Sequence, residues 1–162
     1  RYVGEVGLDY RVVVRRSDRA RQRAIFEEIL QHCSRVGTRV VTIHSRRAEA
    51  DVVAALREHR PGPFILHWYS GSLKVLGSAV EAGAYFSVNP AMVGSERGQR
   101  LIRDMPRDRV LTESDGPFVQ TGGRPASPVS VRETAARLGQ LWRADRDEAE
   151  NQVLHNFRDL LD

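Results

Sequence analysis

The sequence predicts an α/β fold built on a parallel sheet. Two observations predict the class: five short, largely apolar segments recur along the 162 residues, and amphipathic segments of helical period separate them. Strands that alternate with helices connect by right-handed crossovers and so lie parallel. A third observation favours a barrel over an open doubly wound sheet. Glu5, His44, His67 and Asp115 each stand at the carboxyl end of a predicted strand, the end where barrel enzymes gather their reactive groups.

In order, Tyr2 to Asp9 is an apolar strand in which Gly4 and Gly7 bracket Glu5. Glycine on each side lets neighbouring backbone approach closely. Tyr10 to Asp18 is a loop, with Val12, Val13 and Val14 too short to settle as strand or lid. Arg19 to Arg35 carries Ala20, Ile25, Phe26, Ile29, Leu30 and Cys33 at helical spacing, and Gly37 stops it. Arg39 to Ile43 is a strand delivering His44. Ala48 to His59 is a helix that turns Val52, Val53 and Leu56 inward, and Pro61-Gly62-Pro63 breaks the chain.

Phe64 to Leu66 then delivers His67. Ser70-Gly71-Ser72 opens a helix through Ala82, and Gly83 ends it. Tyr85 to Val88 is a strand, followed by Asn89-Pro90 and a short helix around Glu96 to Asp104. Val110 to Thr112 delivers Glu113, Ser114 and Asp115, followed by a long Gly/Pro/Ser loop to Pro128. Ser130 with Glu133 reads as a capping box for a helix from Val131 to about Trp142, and Asp145 with Glu148 repeats the signal for a last helix.

Composition narrows the function classes. No apolar run approaches the roughly 20 residues of a spanning helix, so a soluble, cytoplasmic chain without membrane contact is expected. The single cysteine, Cys33, falls on the apolar face of a helix and reads as packing rather than nucleophile. Net charge is +4, and Lys74 is the only lysine among 25 basic residues. Arginine's planar fork suits phosphate-bearing partners, although many of these arginines fall on exposed helix faces.

The four polar residues at strand ends mix imidazole and carboxylate, the donors that borderline-soft divalent metals prefer. Their surroundings resemble the TatD family of metal-dependent deoxyribonucleases. Gly4-Glu5-Val6-Gly7-Leu8-Asp9 matches its Gly-Glu-x-Gly-Leu-Asp motif, and Gln22 and Phe26 sit where the next helix carries Gln and Phe. His44-Ser45-Arg46-Arg47-Ala48 matches His-Ser-Arg-x-Ala, and His67-Trp68-Tyr69-Ser70-Gly71 matches His-x-Phe/Tyr-Ser-Gly. Leu111-Thr112-Glu113-Ser114-Asp115-Gly116-Pro117 follows the family's Leu-x-Glu-Thr-Asp-x-Pro strand with Ser114 and Gly116 as departures, and Asn156 matches an Asn near the family's C-terminus.

The resemblance implies a fold, a cofactor and a substrate. Family members open on a His-x-His strand, and two more strands precede the Gly-Glu-x-Gly-Leu-Asp motif. No His-x-His occurs in the 162 residues. The implied architecture is therefore a partial TIM (β/α)8 barrel, about strands 4–8, forming one hydrolase domain over residues 1–162. Its open edges invite a partner chain that completes the barrel.

The family holds two divalent ions, Mg, Mn or Zn. Carried over, Glu5, His44 and His67 would hold one ion well, while Asp115 with Glu5 would supply half the ligands of the other. Asp115 would also orient or deprotonate the attacking water, and Arg46 would clamp a phosphate oxygen. Trp68 and Tyr69 are candidates to stack on a base, and Glu113 and Asp9 to accept hydrogen bonds from ligand imidazoles. The expected reaction is metal-assisted hydrolysis of DNA, at ends or in single strands, impaired in this form. A D-aminoacyl-tRNA deacylase on the same barrel and a non-catalytic scaffold are the alternatives.

Overall fold

The structure, a computed structural model, describes residues 2–37 and 40–162. The chain divides after Tyr85 into two units. In the first, strands β1 (Tyr2–Asp9), β2 (Val40–Arg46) and β3 (Phe64–His67) alternate with helices α1 (Arg16–Val36), α2 (Glu49–His59) and α3 (Leu73–Glu81). β1 pairs parallel with β2, and β2 with β3. The strands supply Leu8, Val41, Ile43 and Leu66 to a fully buried layer. Helical spacing brings Phe26, Leu30 and Cys33 of α1 inward, as predicted, together with Val52 and Leu56 of α2 and Leu76 and Ala79 of α3. Burial of each large side chain contributes about 1.5–3 kcal/mol.

Two boundaries differ from expectation. α1 starts at Arg16 rather than Arg19, which puts Asp18 in its first turn, where a carboxylate favours the helix dipole. The strand expected to begin at Arg39, a residue outside those described, continues beyond His44 to Arg46, because β1 keeps pairing with it through Asp9 opposite Arg46.

β4 (Tyr85–Val88) leads into the second unit, followed by α4 (Pro90–Gly94), α5 (Glu96–Asp104), a 3-10 turn (Arg107–Arg109) and β5 (Val110–Thr112). β4 and β5 run parallel, with Phe86 opposite Val110 and Val88 opposite Thr112. The remaining elements are β6 (Gln120–Thr121), β7 (Arg124–Pro125), a 3-10 turn (Pro128–Ser130), α6 (Val131–Trp142) and α7 (Arg146–Leu161). Phe86, Ile102, Val110, Leu138 and Leu160 form this unit's core.

Three features here correct the sequence reading. Asn89-Pro90, given no element in the sequence reading, opens a helix: Asn89 caps α4 by accepting from the Met92 N–H, and Pro90 takes the first helical position. The loop after Gly116 contains a hairpin, β6 against β7, turned by Gly122 and Gly123, both at positive φ as such a two-residue turn requires. Ser130 does not cap α6 through its side chain. Its hydroxyl instead accepts from the Ser127 N–H in a box around the 3-10 turn.

Asn156 is fully buried on α7, and its amide donates to the Arg107 and Val110 carbonyls, each at 2.7 Å. Asn156→Ala removes both bonds, the one to Val110 buried and the one to Arg107 partly so, and is expected to destabilise the chain by about 2–3 kcal/mol, read as a lowered urea midpoint at unchanged slope. Among the described residues, no helix is long and apolar enough to cross a membrane.

Candidate metal centre

The centre draws on β1, β2 and β3, but only His67 ends its strand. Glu5, expected at a strand end, lies midway along β1, and His44 two residues before the end of β2, because β1 and β2 keep pairing as far as Asp9 and Arg46. From Val3 to Val6 β1 advances three residues while β2 advances two, from Val41 to Ile43. Gly4 and Glu5 therefore form a bulge, a device that re-aims side chains. Beyond it Gly7 sits opposite His44 at φ +153, and a Cβ there would overlap the His44 carbonyl oxygen. Only glycine lets β1 lie this close to β2. Leu66 of β3 stands opposite Ile43, so the next residues, His67 and His44, emerge side by side on one face. Their rings are 6.2 Å apart, centroid to centroid.

Glu5 closes the group. Its Oε1 lies 2.8 Å from His44 Nδ1 and 3.9 Å from His67 Nε2. One ligand atom from each of the three residues falls within 4.8 Å of the others. A cation bound at about 2.1 Å to three tetrahedral ligands sets them roughly 3.4 Å apart, and 2.8 and 3.9 Å bracket that spacing. One oxygen and two imidazole nitrogens thus fit a divalent ion in both chemistry and reach. His67 is buried, while Glu5 is exposed, leaving an approach from solvent.

Electrostatics tie the group together. The hydrogen bond with His44 holds the Glu5 carboxyl below its ordinary range despite burial, and the charge of His67 adds to the effect. The same bond, with a smaller contribution from Asp9, raises the His44 imidazole above 6.5 against desolvation. Asp9 lies with Oδ2 3.0 Å from His44 Nε2. Burial pushes its carboxyl up, but the Val12 and Arg11 N–H groups and His44 outweigh that and lower it.

The other candidates are distributed unevenly. Arg46 is exposed two residues beyond His44, hence on the same face of β2. Trp68 is half-buried at φ +39, with its ring edge-on to His67 at 6.5 Å. Tyr69 does not fit the stacking role expected of it. It is 1% exposed, with its hydroxyl donating to the Ser72 carbonyl at 2.8 Å and its ring packed over Gly71. The left-handed turn at Trp68 is what sends Tyr69 inward.

Asp115 and Glu113 belong to the second unit. Glu113 accepts from the Ser87 hydroxyl and, at 3.1 Å, from the Asn89 amide, which ties the ends of β4 and β5 together. Asp115 follows in the left-handed region at φ +48, its carbonyl accepting from the Val119 N–H. Sequence reasoning passed over Ser87, Asn89 and Glu49. Glu49 accepts from the Ser70 hydroxyl at 3.0 Å and from the Arg47 N–H, joining the turns after β2 and β3. The signal available for Asn89 was Asn before Pro, a helix-start pattern.

Comparison with known proteins agrees with this geometry. A sequence model for the TatD-related DNase family matches residues 1–162. The chain is 30% identical over 117 residues to the human protein named deoxyribonuclease TATDN3, covering 71% of this chain and 42% of that one. It is 28% identical over 162 residues to the Escherichia coli protein named uncharacterized metal-dependent hydrolase YcfH, covering 96% and 60%. The crystal structure of YjjV, a TatD homologue from E. coli, superimposes with a TM-score of 0.83 at 26% identity, over 98% of this chain and 62% of that one. The chain thus spans less than two thirds of each of these proteins.

Proposed function

We propose that this chain, which belongs to the TatD-related DNase family of metal-dependent hydrolases, hydrolyses phosphodiester bonds of DNA with a divalent cation held by Glu5, His44 and His67. The observation that carries the reading is the convergence of one carboxylate oxygen and two imidazole nitrogens from three neighbouring strands. Bound there, a divalent ion would neutralise phosphate charge and acidify its water. The name of the human relative, a deoxyribonuclease, supports DNA as the substrate.

Each residue has an assigned task. Glu5 supplies the anionic ligand between the two histidines, and His44 and His67 supply neutral nitrogens. Arg46, exposed on the face of His44, binds a phosphate oxygen through its guanidinium fork. Trp68 offers part of its ring to an unpaired base, which favours single strands and ends. Asp115, on the strength of its motif, takes the proton of the attacking water. These residues are read as strands 4–8 of the family's barrel, a reading that similarity to YjjV supports.

The test is release of nucleotides from a single-stranded oligonucleotide with Mn²⁺. Cleavage that requires the ion and falls at least 100-fold in His67→Ala is expected, on the order of the loss when a metal site is dismantled. Hydrolysis of charged tRNA without DNA cleavage would contradict the assignment.

Metal uptake should depend on pH. Because the His44 imidazole is raised above 6.5, protons compete for its nitrogen at higher pH than in a free histidine. Affinity measured by calorimetry should therefore weaken as pH falls, beginning above 6.5. In the metal-free chain the sign reverses. Protonated His44 beside Glu5 and Asp9 contributes stability fully present below the unfolded-state pKa and lost as pH rises through the raised folded value.

A further inference from the structure

We infer that Asp9 is a positioning residue: it holds His44 with Nδ1 turned toward Glu5 and His67 and with Nε2 carrying the proton. The inference rests on Glu5, His44 and His67 being metal ligands and adds how one of them is prepared to bind. The two imidazole nitrogens face different partners, Nδ1 toward Glu5 Oε1 at 2.8 Å and Nε2 toward Asp9 Oδ2 at 3.0 Å. Only Nδ1 lies on the side of the shared cation.

Asp9 is fixed independently of His44. Its Oδ1 accepts from the Arg11 N–H at 2.8 Å and the Val12 N–H at 3.1 Å. Its own N–H donates to Gln22 Oε1 at 3.1 Å, and its carbonyl accepts from the Val13 N–H at 3.0 Å. Four bonds to other groups hold the residue, so Oδ2 cannot swing away without breaking the turn after β1. An ionised carboxylate only accepts hydrogen bonds, so Nε2 must donate to it. Without metal, Nδ1 donates its own proton to Glu5. When a cation takes that proton's place, the neutral imidazole keeps its one N–H on Nε2 and Nδ1 presents its lone pair to the ion.

Asparagine at position 9 separates these two tasks. Its carbonyl oxygen still accepts from Arg11 and Val12, but the amide NH₂ in place of Oδ2 is a donor. Nε2 must then accept, the imidazole proton moves to Nδ1, and the ligating lone pair is lost.

The experiment is Zn²⁺ calorimetry on the full chain, with ¹⁵N NMR of the zinc-loaded histidines. In the unmutated protein His44 should bind zinc through Nδ1 with Nε2 protonated, and Asp9→Asn should weaken zinc binding roughly 10–100-fold. Gln22→Ala, which removes a bond to the same turn but leaves the carboxylate, should lower stability and keep zinc affinity within about threefold. Zinc bound through Nε2 of His44 in the unmutated chain overturns the inference even where Asp9→Asn fails to fold. So does Asp9→Asn binding as tightly as the unmutated chain. If neither His44 nor His67 shifts when zinc is added to the unmutated chain, the metal-centre reading itself fails.

Discussion

Glu5→Ala is expected to abolish divalent-metal binding. Glu5 is the one anionic member of the trio and lies 2.8 Å from His44 and 3.9 Å from His67. Without it, two neutral imidazoles face the ion, and the one ligand carboxylate of the trio that offsets the cation's charge in a partly buried site is gone. Loss of an outer partner of a metal ligand costs about 10–100-fold in affinity, so loss of the ligand should exceed roughly 100-fold. Calorimetry with Mn²⁺ should show no saturable heat for the variant. Because the Glu5 side chain is exposed, the fold should survive, and near-unchanged circular dichroism would separate lost binding from lost structure. Binding within a few-fold of the unmutated chain would remove Glu5 from the site.

Gly7→Ala should have the largest effect on stability. A methyl group at position 7 would overlap the His44 carbonyl oxygen and lie 2.8 Å from the His44 carbonyl carbon and amide nitrogen. All three are backbone atoms in the β1–β2 ladder, so no rotamer change relieves the clash. At φ +153 an L residue is also strained. Overpacking and strain together should cost about 3 kcal/mol or more, a large part of a typical domain's stability. A thermal melt gives the size. Where β1 moves away from β2 instead, Glu5 leaves His44 and metal affinity falls as well. A variant as stable as the parent would mean that the strands do not approach this closely.

The parts legible in the sequence were those that local chemistry decides. Tyr85 to Val88 and Val110 to Thr112 were read with their observed ends, because Gly83, Asn89-Pro90 and the polar Glu113-Ser114-Asp115 bound short runs rich in aromatic and β-branched residues. Gly37 was legible as a stop because glycine accepts the left-handed cap at φ 65. His44 and His67 were placed at strand ends by pattern alone, and parallel register then put them on one face.

What escaped depends on contacts distant in sequence. The bulge at Gly4 and Glu5 exists only against β2, so nothing local to β1 announces the shift that re-aims Glu5. Tyr69 was named with Trp68 as a candidate to stack on a base, yet after the left-handed residue Trp68 it is buried over Gly71. Ser130 with Glu133 had the spacing of a capping box, but Ser127 took the hydroxyl first. The Gly122-Gly123 pair is a hairpin signal, but the stretch was read only as a Gly/Pro/Ser loop, and the strands it joins have two residues each, too short for an alternating pattern.

The central claim is that Glu5, His44 and His67 share one cation, and anomalous diffraction from a crystal of this chain grown with Mn²⁺ tests it most directly. The account predicts an anomalous peak within ligand distance, about 2.0–2.3 Å, of a Glu5 oxygen, His44 Nδ1 and His67 Nε2. A fully loaded crystal with its manganese elsewhere, and none among these three side chains, would contradict it.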